Sequence, residues 1–334
     1  MTSATHPAAR TATPEAIVDI AIGFMGAKQL FAASRIGLFT AIADGASTVE
    51  ELASTTGVPH RQVRVLADSM AAQGLLGRAG GRYSLTPDAA AYLTGGHAEL
   101  DLAPFLAFLG STSYDQWRGY DKTVDTDAAG TLELDEAGWA DFMQGVMTYN
   151  ALHAEMLARH FDFTGFGSAL DLGGLSPDFA IKAMHANPDL KTRFVVAPDF
   201  ADGVRQAVEA AGLSGRAVVE GAETEDAQPG GAHDLVMVNH VAHRFGAAEN
   251  ARILANARAA AAPGATLLML DFYLDDDPVQ RRIDALHAGE YYNIDGTVVY
   301  PESVVREWLE AAGWAFREMI SLPGSPRVIV ADAV

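Results

Sequence analysis

The run Ala169-Leu170-Asp171-Leu172-Gly173-Gly174-Leu175-Ser176-Pro177-Asp178 constrains this chain more than any other stretch. A short apolar strand enters two glycines and then a helix start, a unit that belongs in a parallel sheet covered by helices. At such a junction backbone N–H groups at the strand end can meet an anionic or nucleotide ligand. The third small residue that close approach needs is replaced by Leu175, and Pro177 has no N–H to donate. Ser176 suits an N-cap, Pro177 the first helical position and Asp178 the positive helix end. The helix start is kept while the ligand-facing backbone is altered.

Beyond residue 168 short apolar runs alternate with helical periodicity. Strands are expected over 169–172, 193–197, 217–220, 234–239 and 265–270, with a closing pair at 316–321 and 327–331. Helices are expected over 178–186, 203–211, 249–259 and 302–312. The fold class is therefore α/β, a doubly wound sheet of about seven strands with helices on both faces.

The first hundred residues read as helices followed by a small hairpin. Ile17, Ile20, Phe24, Leu30, Phe31, Leu38, Phe39 and Ile42 recur at helical spacing. Ser47 heads a capping box with Glu50, Gly57 turns the chain into a second helix, and two strands flank Gly80-Gly81. Helix-turn-helix plus hairpin is a winged helix. A DNA reader would put His60, Arg61, Gln62 and Arg64 in a major groove and Arg82 on the wing. Here Arg61, Arg64, Arg78 and Arg82 are matched by Glu50, Glu51, Asp68 and Asp88, so the module is expected to bind protein. The whole chain carries 43 acidic against 23 basic residues, a formal charge of −20 that repels a phosphate backbone. No uninterrupted apolar run reaches the roughly 18 residues of a membrane span, and Met1 to Thr13 lacks the order of a signal peptide. With no cysteine, disulfides and thiolate metal sites are excluded. Between Leu100 and His160 the pattern is helical and aromatic, interrupted by an acidic loop expected over 121–138.

In order and spacing these parts resemble the class I, S-adenosylmethionine-dependent small-molecule O-methyltransferases of plants and bacteria. Gly37-Leu38-Phe39, Glu50-Glu51-Leu52-Ala53, Gly74-Leu75-Leu76, Tyr83-Ser84-Leu85-Thr86, Asp171-Leu172-Gly173-Gly174, His240-Val241-Ala242-His243 and Glu310-Ala311-Ala312-Gly313-Trp314 carry the resemblance. It implies a flexible tail over 1–13, a winged-helix dimerisation domain over 14–100, a helical connector over 101–160 lining the substrate pocket, and a Rossmann-like catalytic domain over 161–334. A cytoplasmic homodimer acting on a small molecule, with no nucleic-acid or membrane partner, is the corresponding expectation.

The family holds its methyl donor at four places, and this chain departs at each. Asp171, Gly173 and Gly174 keep the first, where Leu175 and Pro177 intrude. Val196 stands where an acid would accept the ribose hydroxyls, and Gly221-Ala222 replaces Gly-Asp. His243-Arg244-Phe245 replaces His-Asp-Trp. Unmet hydrogen bonds at about 1–3 kcal/mol each would together erase micromolar binding, so the expectation is an enzyme with no cofactor.

The resemblance makes His243 the general base and Asp271 one of its two flanking acids; the other falls near Val298. Arg244 is a surface charge or a cation that fills the donor pocket or polarises a substrate carbonyl. His240 reads as structural. By position Phe142, Met143, Met147, Asn150, Tyr291, Tyr292 and Asn293 line the substrate pocket, which suits a flat, partly polar molecule. Asp275-Asp276-Asp277 are expected to point apart, and no metal site is expected. The expected function is thus a methyltransferase-fold enzyme of bacterial natural-product metabolism. It would use His243, with Asp271 and Arg244, for cyclisation, pericyclic rearrangement, elimination or decarboxylation of an aromatic or polyketide-like molecule. The alternatives are an S-adenosylmethionine-dependent O-methyltransferase with His243 as base, and a non-catalytic binding protein.

Overall fold

The computed structural model describes residues 12–277 and 279–334, so the tail expected over 1–13 falls almost wholly outside the described residues. The chain divides into two compact units, Met1–Gly110 and Ser111–Val334.

The first unit runs α1 (Glu15–Arg35), α2 (Leu38–Ala43), α3 (Val49–Thr56), α4 (His60–Ala72), the hairpin β1 (Leu76–Ala79) and β2 (Arg82–Leu85), then α5 (Pro87–Tyr92) and α6 (Ala103–Phe108). Its core is Leu38, Phe39, Leu52, Val63, Ala67 and Met70, all fully buried. Gly80 and Gly81 make the hairpin turn at φ 56° and 79°, a conformation that glycine adopts without a Cβ penalty. The capping box forms one residue later than expected: Thr48 accepts from the Glu51 N–H and Glu51 reaches back, because α3 begins at Val49. Asp68 gathers Tyr83 Oη at 2.6 Å, Arg78 at 3.2 Å and Arg64 at 3.6 Å, which ties down one of the basic residues a DNA reader would need, Arg64. Although charged residues interrupt it, α1 is long and apolar enough to cross a membrane by length and composition. Ile17, Ile20, Ile22, Phe24 and Met25 of α1 are exposed.

The second unit opens with α7 (Tyr114–Trp117), α8 (Tyr120–Thr126) and α9 (Glu136–His160), so the stretch expected as a loop over 121–138 is partly helical. Asp135 caps α9 by accepting from the Gly138 N–H at 2.8 Å. There follow β3 (Ser168–Leu172), α10 (Asp178–Ala186), β4 (Lys191–Val196), α11 (Ala201–Ala210), β5 (Ala217–Gly221), β6 (His233–Met237), α12 (Ala247–Ala259), β7 (Ala261–Asp271), α13 (Arg282–Asp295), α14 (Glu302–Ala311), β8 (Trp314–Ser321) and β9 (Arg327–Ala333). The seven strands lie in the order β5-β4-β3-β6-β7-β9-β8, with β9 antiparallel to both its neighbours and the rest parallel. Leu170, Leu172, Val236, Leu267, Met269 and Ile329 are sealed between the helical layers, which is why the central strands are apolar runs without alternation. The chain leaves β3 toward β4 on one side and returns through β6 on the other, opening a crevice at the carboxyl ends of β3 and β6.

Candidate active site

The turn after β6 places His243. The strand's ladder continues through Val238 and His240, whose N–H groups donate to Leu268 and Leu270 carbonyls at 2.8 Å. His240 then adopts φ 53°, a left-handed conformation, and the short turn Ala242–Arg244 lifts His243 over the end of β7. There Asp271, the last residue of β7, lies with both carboxylate oxygens 3.0 Å from His243 Nδ1. Asp271 also accepts from the backbone N–H groups of His243 at 3.3 Å and Phe272 at 2.9 Å. Burial pushes the Asp271 carboxyl up, but the His243 ring and these donors outweigh it and hold it below the usual carboxylate value. An ionised Asp271 accepts only, so His243 carries its proton on Nδ1 and leaves Nε2 as a bare acceptor. Val298, at the position of the missing second acid, instead donates its backbone N–H to the His243 carbonyl at 3.1 Å. The Tyr291 ring stands 4.5 Å from the His243 ring. The pair His243–Asp271 is therefore an imidazole held in a fixed orientation by a buried carboxylate at the sheet's carboxyl edge.

Beside it lies the glycine loop. Asp171 is 2% exposed and its Oδ1 has no hydrogen-bond partner; burial alone raises its carboxyl to about 7. A Cβ on Gly174 would lie 3.4 Å from that oxygen, and one on Gly173 (φ +77°) would strike Thr224 at 2.2 Å. Gly173 is thus required by the space and its backbone conformation, while Gly174 would tolerate a Cβ, and Leu175 and Pro177 stay half-buried at the start of α10. Ser176 does not cap as expected at the helix edge: Pro177 occupies that position, and the Ser176 hydroxyl accepts from Asp178 N–H at 3.3 Å and donates to Asp178 Oδ2. Arg244 is not a solvated charge. Its guanidinium donates to the Gly173 carbonyl, sits 5.4 Å over the Phe245 ring, and leaves its Nε sealed without a partner. Burial lowers it to about 10. Val196 is buried, Ala222 half-buried, and Asp199 and Glu223 are exposed.

The chemistry of these groups fits the amino-acid end of a ligand. An unpartnered carboxylate oxygen and an unpartnered guanidinium N–H flank a glycine cradle, one matching an ammonium and the other a carboxylate. Val196 and Ala222 offer side-chain acceptors to neither a ribose nor a base.

Of the other expected site residues, Phe142, Met143 and Met147 are half-buried along α9, and Asn150 turns its amide to the Val146 carbonyl at 3.1 Å. Tyr292 and Asn293 meet the acidic stretch: Tyr292 Oη donates to the Asp127 carbonyl at 2.9 Å, and the backbone of Asn293 abuts Gly130. Among the aspartates Asp275 pairs with Arg327 and Asp276 accepts from Ser303, so these two carboxylates engage different partners.

Four residues escaped the sequence reading. His153 of α9 hydrogen-bonds His240 through Nδ1 and Nε2 at 2.8 Å, and His287 stacks on Phe272 at 3.8 Å with Tyr149 Oη 3.3 Å from its Nε2. Their spacing in sequence gives no signal, since α9, β6 and α13 meet only in the fold. His240, His243 and Asp271 each offer a donor atom within 4.8 Å of the others, a spacing open to a metal ion. Hydrogen bonds to His153 and within the dyad already engage these groups.

Residues 18–95 match the O-methyltransferase dimerisation domain and residues 110–311 the O-methyltransferase domain. The chain is 30% identical over 273 residues to the 3-hydroxy-5-methyl-1-naphthoate 3-O-methyltransferase of Streptomyces sahachiroi, covering 79% of each chain. Its fold is similar to that of CalO1, a methyltransferase of calicheamicin biosynthesis solved with S-adenosylhomocysteine (TM-score 0.84, 19% identity, 98% and 100% covered). It is also similar to human N-acetylserotonin methyltransferase in complex with S-adenosylmethionine (TM-score 0.78, 19% identity, 98% and 99% covered). The expectation of no cofactor is overturned by these neighbours, which hold S-adenosylmethionine or its demethylated product, and the relatives are named for methyl transfer rather than for cyclisation or elimination.

Proposed function

The chain belongs to the plant- and bacterial-type S-adenosylmethionine-dependent O-methyltransferase family, and from that premise we propose that it methylates a phenol or enol oxygen of an aromatic or polyketide-like natural product. The observation that carries the reading is the His243–Asp271 pair, both oxygens of a buried carboxylate at 3.0 Å from Nδ1. S-adenosylmethionine, when bound, supplies a methyl group activated by a positively charged sulfur. His243 Nε2 takes the proton of the substrate hydroxyl, and Asp271 fixes the tautomer and stabilises the imidazolium that results. Asp171 would hold the donor's ammonium and Arg244 its carboxylate. The half-buried aromatic and methionine positions of α9, with Tyr291, give a flat acceptor an apolar bed. The exposed apolar residues of α1, all but Ile17 inside the dimerisation-domain match, would be covered by a second copy of the chain.

Calorimetric titration with S-adenosylmethionine and S-adenosylhomocysteine tests the reading. Micromolar dissociation constants are expected, together with methyl transfer to a naphthol; no heat at millimolar donor removes the proposal.

A further inference from the structure

His240 does more than shape the turn before the base. It is one of only two non-glycine residues with positive φ among those described, a strained conformation that persists where the surroundings enforce it. Its ring lies 5.9 Å from that of His243, and a donor atom of each falls within 4.8 Å of the other. Its Nε2 is engaged by His153 Nδ1 at 2.8 Å. Among the described residues no partner meets its Nδ1, while 7% of the residue stays accessible.

The proton between the two rings can be assigned. Burial holds both imidazoles neutral, His240 down to about 3 and His153 well below its ordinary value, so each carries one N–H. If His240 donated the shared bond, the proton of His153 would sit on Nε2, a sealed nitrogen with no acceptor. A buried N–H left orphaned is the rarer arrangement. His153 Nδ1 is therefore the donor, His240 Nε2 accepts, and the proton of His240 sits on Nδ1.

We propose that His240 Nδ1–H is a substrate-binding hydrogen-bond donor, and that the site selects acceptors bearing a second oxygen beside the reacting hydroxyl, as in an ortho-hydroxyaryl ketone. The two rings lie 5.9 Å apart centre to centre, so the hydroxyl and the carbonyl oxygen of an ortho-hydroxyaryl ketone, carried on carbons in 1,3 relation, can engage both, the hydroxyl on the bare nitrogen of His243 and the carbonyl on the N–H of His240. The pairing also sorts roles: a bare nitrogen accepts from the hydroxyl, while an N–H cannot remove a proton and donates to the carbonyl. The inference rests on the methyl-transfer reading for which oxygen reacts. His153 acts through His240 and is a positioning residue.

The test compares 1-hydroxy-2-acetonaphthone with 1-naphthol as acceptors for the full chain and S-adenosylmethionine. Wild type is expected to favour the hydroxyketone in kcat/KM. His240→Asn, which tolerates the left-handed backbone, is expected to reduce that preference about tenfold. His153→Phe frees the proton of His240 to move to Nε2 and is expected to reduce the preference in the same direction with His240 intact. A wild type without preference, or variants that lose activity equally toward both acceptors, overturns the proposal. If wild type methylates neither probe, the methyl-transfer reading fails, and calorimetric binding of the two probes decides this one. Tighter hydroxyketone binding that His240→Asn abolishes supports the donor role; equal binding, or none, overturns it.

Discussion

Replacing Asp171 by Asn separates the stability of the empty site from its affinity for the donor. Asp171 is 2% exposed, its Oδ1 is unpartnered, and burial alone raises its carboxyl from 3.8 to about 7. The folded chain keeps this proton up to about pH 7, whereas the unfolded chain releases it near 3.8, so stability without ligand falls as pH rises between those values. At about 1.4 kcal/mol for each pH unit the full loss is on the order of 4 kcal/mol. An amide at this position has no proton to release, so the Asp171→Asn variant escapes that slope. At about 2–4 °C per kcal/mol for a unit of this size, wild type is expected to lose roughly 8–16 °C of melting temperature relative to Asp171→Asn between pH 4 and 8. The comparison with the variant matters, because other carboxylates add their own slopes to both proteins. Donor affinity moves the other way: a neutral amide cannot pair with an ammonium, and loss of a charged hydrogen bond of about 1.5–3 kcal/mol weakens S-adenosylmethionine roughly 10- to 150-fold. Scanning fluorimetry at pH 4, 5, 6, 7 and 8, with and without donor, and calorimetry at pH 7.5 measure both effects. A difference in melting temperature that does not change with pH refutes the burial argument, and an unchanged donor constant refutes the ammonium assignment.

Other expectations concern the base, the cation and the first helix. His243→Ala is expected to lower kcat by about 10²–10⁴ with donor affinity within threefold, read from rates and calorimetry on 1-naphthol. Asp271→Asn should lower kcat about 10- to 150-fold, since an amide no longer balances the imidazolium, and should lower the melting temperature because two backbone N–H groups lose a charged acceptor; a change confined to KM would contradict this role. Arg244→Gln is expected to weaken S-adenosylmethionine more than 5′-methylthioadenosine, which lacks the amino-acid end, as measured by competition. Ile20→Glu with Phe24→Glu should yield monomers in light scattering, because both side chains belong to the exposed face of α1.

The architecture was legible because it depends on local signals. The Ala169–Leu172 run, the Gly173-Gly174 turn and the Asp178 helix start each state a period or a break, and β3, the loop and α10 match them within a residue or two. The meeting of His243 and Asp271 was legible through family resemblance, with Asp271 closing β7 just where His243 descends, and the roles of base and acid are the proposal built on it. Contacts between elements far apart in the chain could not be read. His240 looked like a strand-end histidine because its partner is 87 residues away on α9, and nothing in either segment marks the pairing. The acidic stretch after Asp121 looked like a loop because its helical residues carry no apolar stripe, and its anchor, Tyr292, comes from α13.

The donor site was misjudged for a physical reason that Arg244 and Ala222 make plain. Summing unmet hydrogen bonds at about 1–3 kcal/mol each assumes that every position is sealed from water. At the adenine position it is not: Gly221 and Glu223 are exposed and Ala222 is half-buried, so polar atoms of a base there can keep water as a partner at little cost, whereas Val196, at the ribose position, is buried. The amino-acid edge is the sealed one, and it holds unpartnered groups of opposite sign on Asp171 and Arg244. Changing an acid to Arg244 therefore did not subtract a contact from a uniform site; it put a guanidinium against Gly173, where a carboxylate can meet it. Charge-assisted bonds are roughly twice as strong as neutral ones, so on the proposed reading two of them in a dry site would offset the acceptors lost at Val196 and Ala222. On that reading, affinity would concentrate at the amino-acid end, and Leu175 and Pro177 would be tolerable because they alter backbone beside the charges without removing either charge.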